Sequence, residues 1–209
     1  MTKEKDIFMK TGEKLPVMEH FYTIQGEGFH SGKAAYFIRI AGCDVGCHWC
    51  DVKESWEISQ YPLIEADTLA RQAAEFCKTV IITGGEPLMW NLDILTGYLK
   101  ALGCMIHVET SGAYPLSGII DWITLSPKKT GLPREEIYLK AHELKVIIFN
   151  THDFVFAHQQ AEKVSEDCLL YVQSEWGKRE KNYPKIAQYI LENPQWRASI
   201  QTHKYLNIP

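Results

Sequence analysis

The sequence predicts an α/β fold: a partial (β/α) barrel of about six parallel strands with reduced helices, in one domain spanning 1–209. Three observations carry this. Short apolar runs of strand length alternate with longer stretches of helical periodicity, a rhythm that implies a parallel sheet with covered strands. The 209 residues supply one fair-sized core, with no low-complexity tract, Ser/Gly-rich linker or internal repeat to divide them. The segments of unusual composition all follow predicted strands, on the rim where parallel α/β folds gather their chemistry.

Taken in order, "AAYFIRIAG" is a strand and "EADTLARQAAEFC" a helix, with Leu69, Ala73 and Phe76 on one face. "TVIIT" is a short, wholly apolar strand, and "NLDILTGYLKALG" a helix stopped at Gly103. "MIHVET", "DWITLSP", "LKVIIF" and "LLYVQS" read as further strands. "THDFVFAHQQAEKV" and "NYPKIAQYILEN" read as later helices, and "ASIQTHK" as a closing strand. The rim then carries the cysteine loop after "FIRIAG", "TGGEP" after "VII", "ETSG" at the end of the "MIHVET" strand and "SPKK" after "WITL".

Composition narrows the function classes. Hydrophobic residues make up 45% and charged residues 23%, as in an ordinary globular protein. A net charge of -4 gives no general attraction to nucleic acid and no polybasic membrane patch. Apolar runs such as "KVIIF" are far too short to span a bilayer. "MTKEKDIFMK" lacks the apolar core of a signal peptide, so the expected location is the cytoplasm. Thiols stay reduced there, and clustered cysteines point to metal or redox chemistry rather than disulfides.

Three of the six cysteines, Cys43, Cys47 and Cys50, fall within "AGCDVGCHWCD" at CxxxCxxC spacing. Three thiolates leave one iron of a four-iron cluster without a protein ligand, whereas a closed electron-transfer cluster uses four. That iron can accept a substrate or cofactor. A structural zinc site would require a fourth Cys or His, and His48, adjacent to Cys47, is poorly placed to supply it. CxxxCxxC with an aromatic residue, Trp49, before the last cysteine resembles the signature of the radical S-adenosylmethionine (SAM) superfamily. "ITGGEP", which alone would read as a turn, resembles that superfamily's second motif. The resemblance implies a partial barrel of the radical SAM type. It also implies a 4Fe-4S cluster held by Cys43, Cys47 and Cys50, and SAM cleaved by one electron to a deoxyadenosyl radical. An electron donor such as flavodoxin or ferredoxin follows from it.

Three more segments, "FYTIQGEGFHSGKAAYFIRIAGC", "ITLSPK" and "SIQTHKYLNIP", make the chain similar to the 7-carboxy-7-deazaguanine synthase family, with anchors from Gln25 to Pro209. The resemblance implies conversion of 6-carboxy-5,6,7,8-tetrahydropterin to 7-carboxy-7-deazaguanine with loss of ammonia, in queuosine and 7-deazapurine biosynthesis. Hydrogen would be taken from the pterin C6, and SAM would be regenerated. A homodimer follows from the family only.

Residue by residue, the same resemblance places Trp49, Asp51, Gly85, Ser126, Pro127 and Lys128 at SAM, with Gln173 as a further candidate. It places Ile24, Gln25, Gly26, Arg39, Thr83 and Pro209 at the substrate, with the terminal carboxylate turned inward. A carboxylated pterin requires a cation, and a guanidinium binds a carboxylate through two parallel hydrogen bonds. The bland alternative for Arg39 is a salt bridge, and for Lys128 an exposed lysine; Glu27 reads equally as a helper in the substrate loop or as a solvated loop carboxylate. Glu109 and His107 share one strand face, where a satisfied interior pair is the expected reading. Glu109 and His203 are secondary candidates for the chemistry.

One position departs from the family. Two residues after the last cysteine the family commonly has a hydroxyl that helps bind Mg2+; here it is Val52. Magnesium prefers oxygen ligands, so substrate, water and backbone would have to hold it. Cys77, Cys104 and Cys168 read as buried small hydrophobes, and the tryptophans outside the cluster loop as packing groups. Two rivals remain. A radical SAM activase acting on a protein partner would share the cluster loop but leave Arg39 and the tail unexplained. A non-catalytic iron–sulfur or zinc module is the other.

Overall fold

The computed structural model describes residues 10–209. The first nine, which include most of the stretch read for a signal peptide, lie outside the described residues. The chain runs β1 (Lys14–Ile24), β2 (Ala34–Ile40), β3 (Leu63–Glu65), α1 (Ala66–Phe76), β4 (Thr79–Gly84), α2 (Asp93–Ala101) and β5 (Met105–Thr110). It continues through β6 (Trp122–Leu125), α3 (Glu135–Lys140), β7 (Glu143–Ile148), α4 (His152–Ala161), β8 (Leu169–Ser174), α5 (Arg179–Glu192), β9 (Trp196–Ser199) and α6 (Thr202–Leu206).

The nine strands of the described residues join one sheet in the order β3-β1-β2-β4-β5-β6-β7-β8-β9. From β2 to β9 each neighbour is parallel to the last. The order never reverses, so the sheet is wound in one direction, as in a partial barrel. β1 and β3 add an antiparallel margin beside β2. No apolar run in the sequence marks β1, whose pattern is half-exposed and mixed polar, unlike that of the parallel strands. "ASIQTHK" is not one strand: β9 ends at Ser199 and Thr202 opens a short helix. That turn carries the chain back over the sheet.

Side chains alternate across each strand. Ile38, Ile40, Val80, Ile82, Ile106, Val108, Leu125, Leu144 and Val172 point outward, fully buried, in a core shared with Leu69 and Ala73 of α1, Leu95 and Leu99 of α2, and Ile186 of α5. Each such side chain contributes about 1.5–3 kcal/mol by leaving water. The inward face is different. Register places Arg39 beside Thr83, His107 beside both Ile81 and Trp122, and Glu109 beside Thr124, which in turn pairs with Glu143. A polar row therefore crosses the inside of the barrel. Below it Phe29 stacks on Trp122, with ring centroids 5.2 Å apart. The β1–β2 loop closes the open side: the backbone N–H groups of Gly28 and Phe29 donate to Ser199 and Glu143 at 3.0 Å each. No helix among the described residues is long and apolar enough to cross a membrane.

Candidate active site

The loop after β2 is fastened before it reaches its first cysteine. Gly42 N donates to Ser55 O, Glu86 N to Gly42 O, and the Trp90 indole to Ala41 O at 2.8 Å. The Glu86 carboxylate in "TGGEP" is buried and spoken for: it accepts from Leu88 N, Thr110 Oγ1, Ser111 N and the Ser111 hydroxyl. It clasps the ends of β4 and β5 together and leaves the two glycines to face the cavity. A Cβ on Gly85 would lie 2.3 Å from Gly42 O and 2.8 Å from the Cys43 Cβ, so only glycine fits there.

Cys43, Cys47 and Cys50 are free and half-buried, and all three line one cavity of about 210 Å3. Each lies within electrostatic reach of another. Burial pushes the Cys43 and Cys47 thiols up, while Lys128 beside Cys47 pulls the other way. Trp49, Asp51, Gly85, Ser126, Lys128 and Gln173 share this cavity. Lys128 Nζ donates to Ser126 Oγ at 2.6 Å and sits 5.2 Å from the Trp49 ring centre, and burial lowers its pKa. It is a half-buried residue turned into the site, not the exposed lysine of the alternative reading. Pro127 is buried and lines neither this cavity nor the next. Gln173 reaches the cavity wall, but its carbonyl oxygen accepts from Ser199 at 2.6 Å.

A second cavity of about 270 Å3 is walled by Ile24, Gln25, Gly26, Arg39, Thr83, His203 and Pro209. The two share Glu27, Asp51, Val52, Thr83, Glu109 and Gln201, so they meet along a common wall. The salt bridge of the alternative reading is present, with Arg39 Nε donating to Glu19 Oε1 at 2.7 Å, and Arg39 also lines this cavity. That bond uses the side of the guanidinium.

Glu109 accepts from Gln25 at 2.9 Å and from Thr83 at 3.3 Å, while its expected partner His107 lies in an aromatic group with His30 and Trp122. His107 Nε2 has no hydrogen-bond partner among the described residues, and burial lowers its pKa to about 4. The interior Glu109–His107 pair is thus not formed; each residue faces different neighbours.

Four lining residues are not flagged by the sequence. Lys145, the polar interruption of "LKVIIF", points inward and forms a buried ion pair with Glu27. Burial raises the Glu27 pKa, but the Lys145 charge and hydrogen bond outweigh it and bring the carboxyl to about 2. Gln201 donates to Glu27 and Asp51. Trp56 and Trp176, read as packing groups, line the first cavity. The signal for Lys145 was a lysine at an inward register position in a buried strand. Cys104 and Cys168 are buried as expected, whereas Cys77 is half-buried at the edge of the core.

A fold with three cysteines lining one cavity beside a glycine-rich loop, at the carboxyl ends of parallel strands, has the site layout of a radical SAM protein. Residues 37–148 match the family described as the radical SAM superfamily, and the chain belongs to it. It belongs within it to the 7-carboxy-7-deazaguanine synthase family. It is 58% identical to the 7-carboxy-7-deazaguanine synthase of Flavobacterium psychrophilum over 209 residues, covering 100% of both chains. It is 50% identical to that of Synechocystis over 194 residues, 92% of this chain and 93% of the relative. The crystal structure of QueE from Escherichia coli superposes with a TM-score of 0.81 at 25% identity, over 96% of this chain and 99% of that one. The activase reading draws no support from these relatives.

Proposed function

We propose that this chain converts 6-carboxy-5,6,7,8-tetrahydropterin to 7-carboxy-7-deazaguanine with release of ammonia, in queuosine and 7-deazapurine formation. The observation that carries this reading is the second cavity, which shares a wall of polar residues with the cysteine-lined one. The three thiols and the close-packed Gly85 fit a 4Fe-4S cluster with SAM beside it. When bound, that pair supplies a one-electron reduction and a carbon-centred radical that takes a hydrogen atom from the substrate.

The protein's own residues bind, orient and exclude water. Cys43, Cys47 and Cys50 are the proposed cluster ligands. Trp49, Asp51, Gly85, Ser126 and Lys128 are proposed to hold SAM, with Gln173 supporting the wall and Pro127 fixing the loop from behind. Arg39, with its Nε engaged by Glu19, presents its terminal nitrogens to the substrate carboxylate. Gln25, Thr83 and Glu109, already joined by hydrogen bonds, offer acceptors and donors to the flat ring edge. Ile24, Gly26, His203 and Pro209 complete that cavity's wall.

The residues present do not make a magnesium site. Val52 has no side-chain oxygen, and the neighbouring Asp51 carboxylate accepts from Gln201 at 3.0 Å and Lys204 at 2.5 Å. No step here uses the ion. A single domain, a homodimer, a cytoplasmic location and an electron donor such as flavodoxin or ferredoxin complete the reading.

The test is anaerobic incubation of cluster-loaded protein with SAM, reductant and the carboxylated pterin, with and without magnesium. An ultraviolet-absorbing product of the deazapurine's mass is expected in both. Intact cluster with SAM cleavage but no such product would overturn the proposal.

A further inference from the structure

Residues 200–209 fold back across the second cavity as a strap. Thr202 N and Oγ1 both donate to Gly26 O, at 2.9 and 3.0 Å. His203 packs so closely on Gly26 that a Cβ there would lie 2.1 Å from its Nδ1. Lys204 Nζ meets Asp51 Oδ2 at 2.5 Å and lies 5.0 Å from the ring centre of Trp176, a wall residue of the first cavity. Pro209, at the far end, lines the second.

Gln201 sits at the root of this strap and lines both cavities. It is buried, and its single amide nitrogen donates to Glu27 Oε1 at 2.9 Å and to Asp51 Oδ2 at 3.0 Å. A primary amide has two N–H donors, and here each goes to a different carboxylate. Glu27 lies on the β1–β2 loop that walls the second cavity and is held from β7 by Lys145. Asp51 directly follows the last cysteine of the cluster loop. An unbroken polar chain, Lys145–Glu27–Gln201–Asp51–Lys204, thus links the barrel wall, the loop of one cavity and the loop of the other.

We propose that Gln201 is a positioning residue that couples the two cavities, so that a pterin seated in one tightens SAM in the other, and the reverse. The inference rests on the function proposed above. A ligand that fills the second cavity contacts the strap through His203 and Pro209 and fixes it. The fixed strap holds Gln201 on both carboxylates, and Asp51 is then set for the ligand of the first cavity. Filling the first cavity sets Asp51 and works back along the same bonds. Such coupling is reciprocal by thermodynamic necessity.

The test uses the full chain with its cluster loaded and oxidised, without reductant, so that no turnover occurs. The dissociation constants of SAM and of 6-carboxy-5,6,7,8-tetrahydropterin are measured by calorimetry, each with and without the other at saturation. The unaltered protein should show the same mutual tightening from both directions, about fivefold or more. In Gln201→Met, which keeps the length but removes both donors, the ratio should fall to about one, whatever the individual affinities become. Lys204→Met, which removes the other tether of Asp51, should lower the ratio at least about twofold and decides the matter if Gln201→Met does not load its cluster. A ratio near one in the unaltered protein, or an unchanged ratio in the deciding variant, overturns the coupling alone. Failure of either ligand to bind by itself would sink the functional reading, and the coupling with it.

Discussion

On β4, Val80 and Ile82 point outward and are fully buried against the helices, while Ile81 and Thr83 point inward, where Thr83 donates to Glu109. The contrast repeats on β5, with Ile106 and Val108 outward but His107 and Glu109 inward, and on β7, with Leu144 and Val146 outward but Glu143 and Lys145 inward. A wholly apolar inner row would pack more simply, since buried polar groups cost free energy unless each is paired. The outward face holds the sheet to its helices; the inward face gives up part of that stability to polar groups that line the two cavities.

The largest effect should come from the rim, where the inward face meets the cluster loop. Cys47→Ala is expected to lose bound iron, from about four per chain in the loaded protein, together with all turnover. Iron analysis and the anaerobic assay check both, and unchanged turnover would contradict the ligand assignment.

Lys145→Met on the inward face should leave Glu27 as an uncompensated buried charge and destabilise the fold by about 3–5 kcal/mol. Adding Glu27→Gln to that variant should recover most of the loss in denaturant titrations without recovering turnover. Recovery of both would reduce the pair to a structural device. The outward face should behave in the opposite way: Ile106→Val should cost about 0.5–1.5 kcal/mol and leave kcat and KM as they were.

Acid should expose the inward face by another route. His107 titrates near 6.5 when unfolded but only near 4 when folded, so between those values the unfolded chain binds more protons and stability falls as pH falls. Glu27 has its ordinary value of 4.5 when unfolded and about 2 when folded; its contribution is present above 4.5 and is lost as pH drops towards 2. Denaturant midpoints measured across pH should decline in two overlapping windows. His107→Phe should flatten the upper one, and an unaltered slope there would place the titration elsewhere.

The same alternation explains what was legible in the sequence. Outward residues announce themselves, because runs such as "TVIIT" need only be apolar, and the parallel strands from β2 to β8 were visible on that basis. The cysteine loop was legible because its spacing has few other uses, and "TGGEP", an ordinary turn by itself, because it follows the next predicted strand after that loop. The inward face was read only where a motif flagged it. Lys145 passed unnoticed within an apolar run because its partner Glu27 lies 118 residues away in the sequence. Gln201 fell inside a segment read as strand, since "ASIQTHK" has strand-like composition and only the strap's contacts with Gly26 and Asp51 bend it into a turn. β1 was missed for a related reason: at the antiparallel margin it is half-exposed and need not be uniformly apolar.

On the proposed function, three side chains hold the cluster and a fourth ligand comes from outside. The most direct measurement is the electron paramagnetic resonance spectrum of the reduced, cluster-loaded protein before and after SAM is added. The signal should shift on addition, as one iron exchanges its ligand. A spectrum indifferent to SAM, from a cluster bound by four protein side chains, would contradict the account.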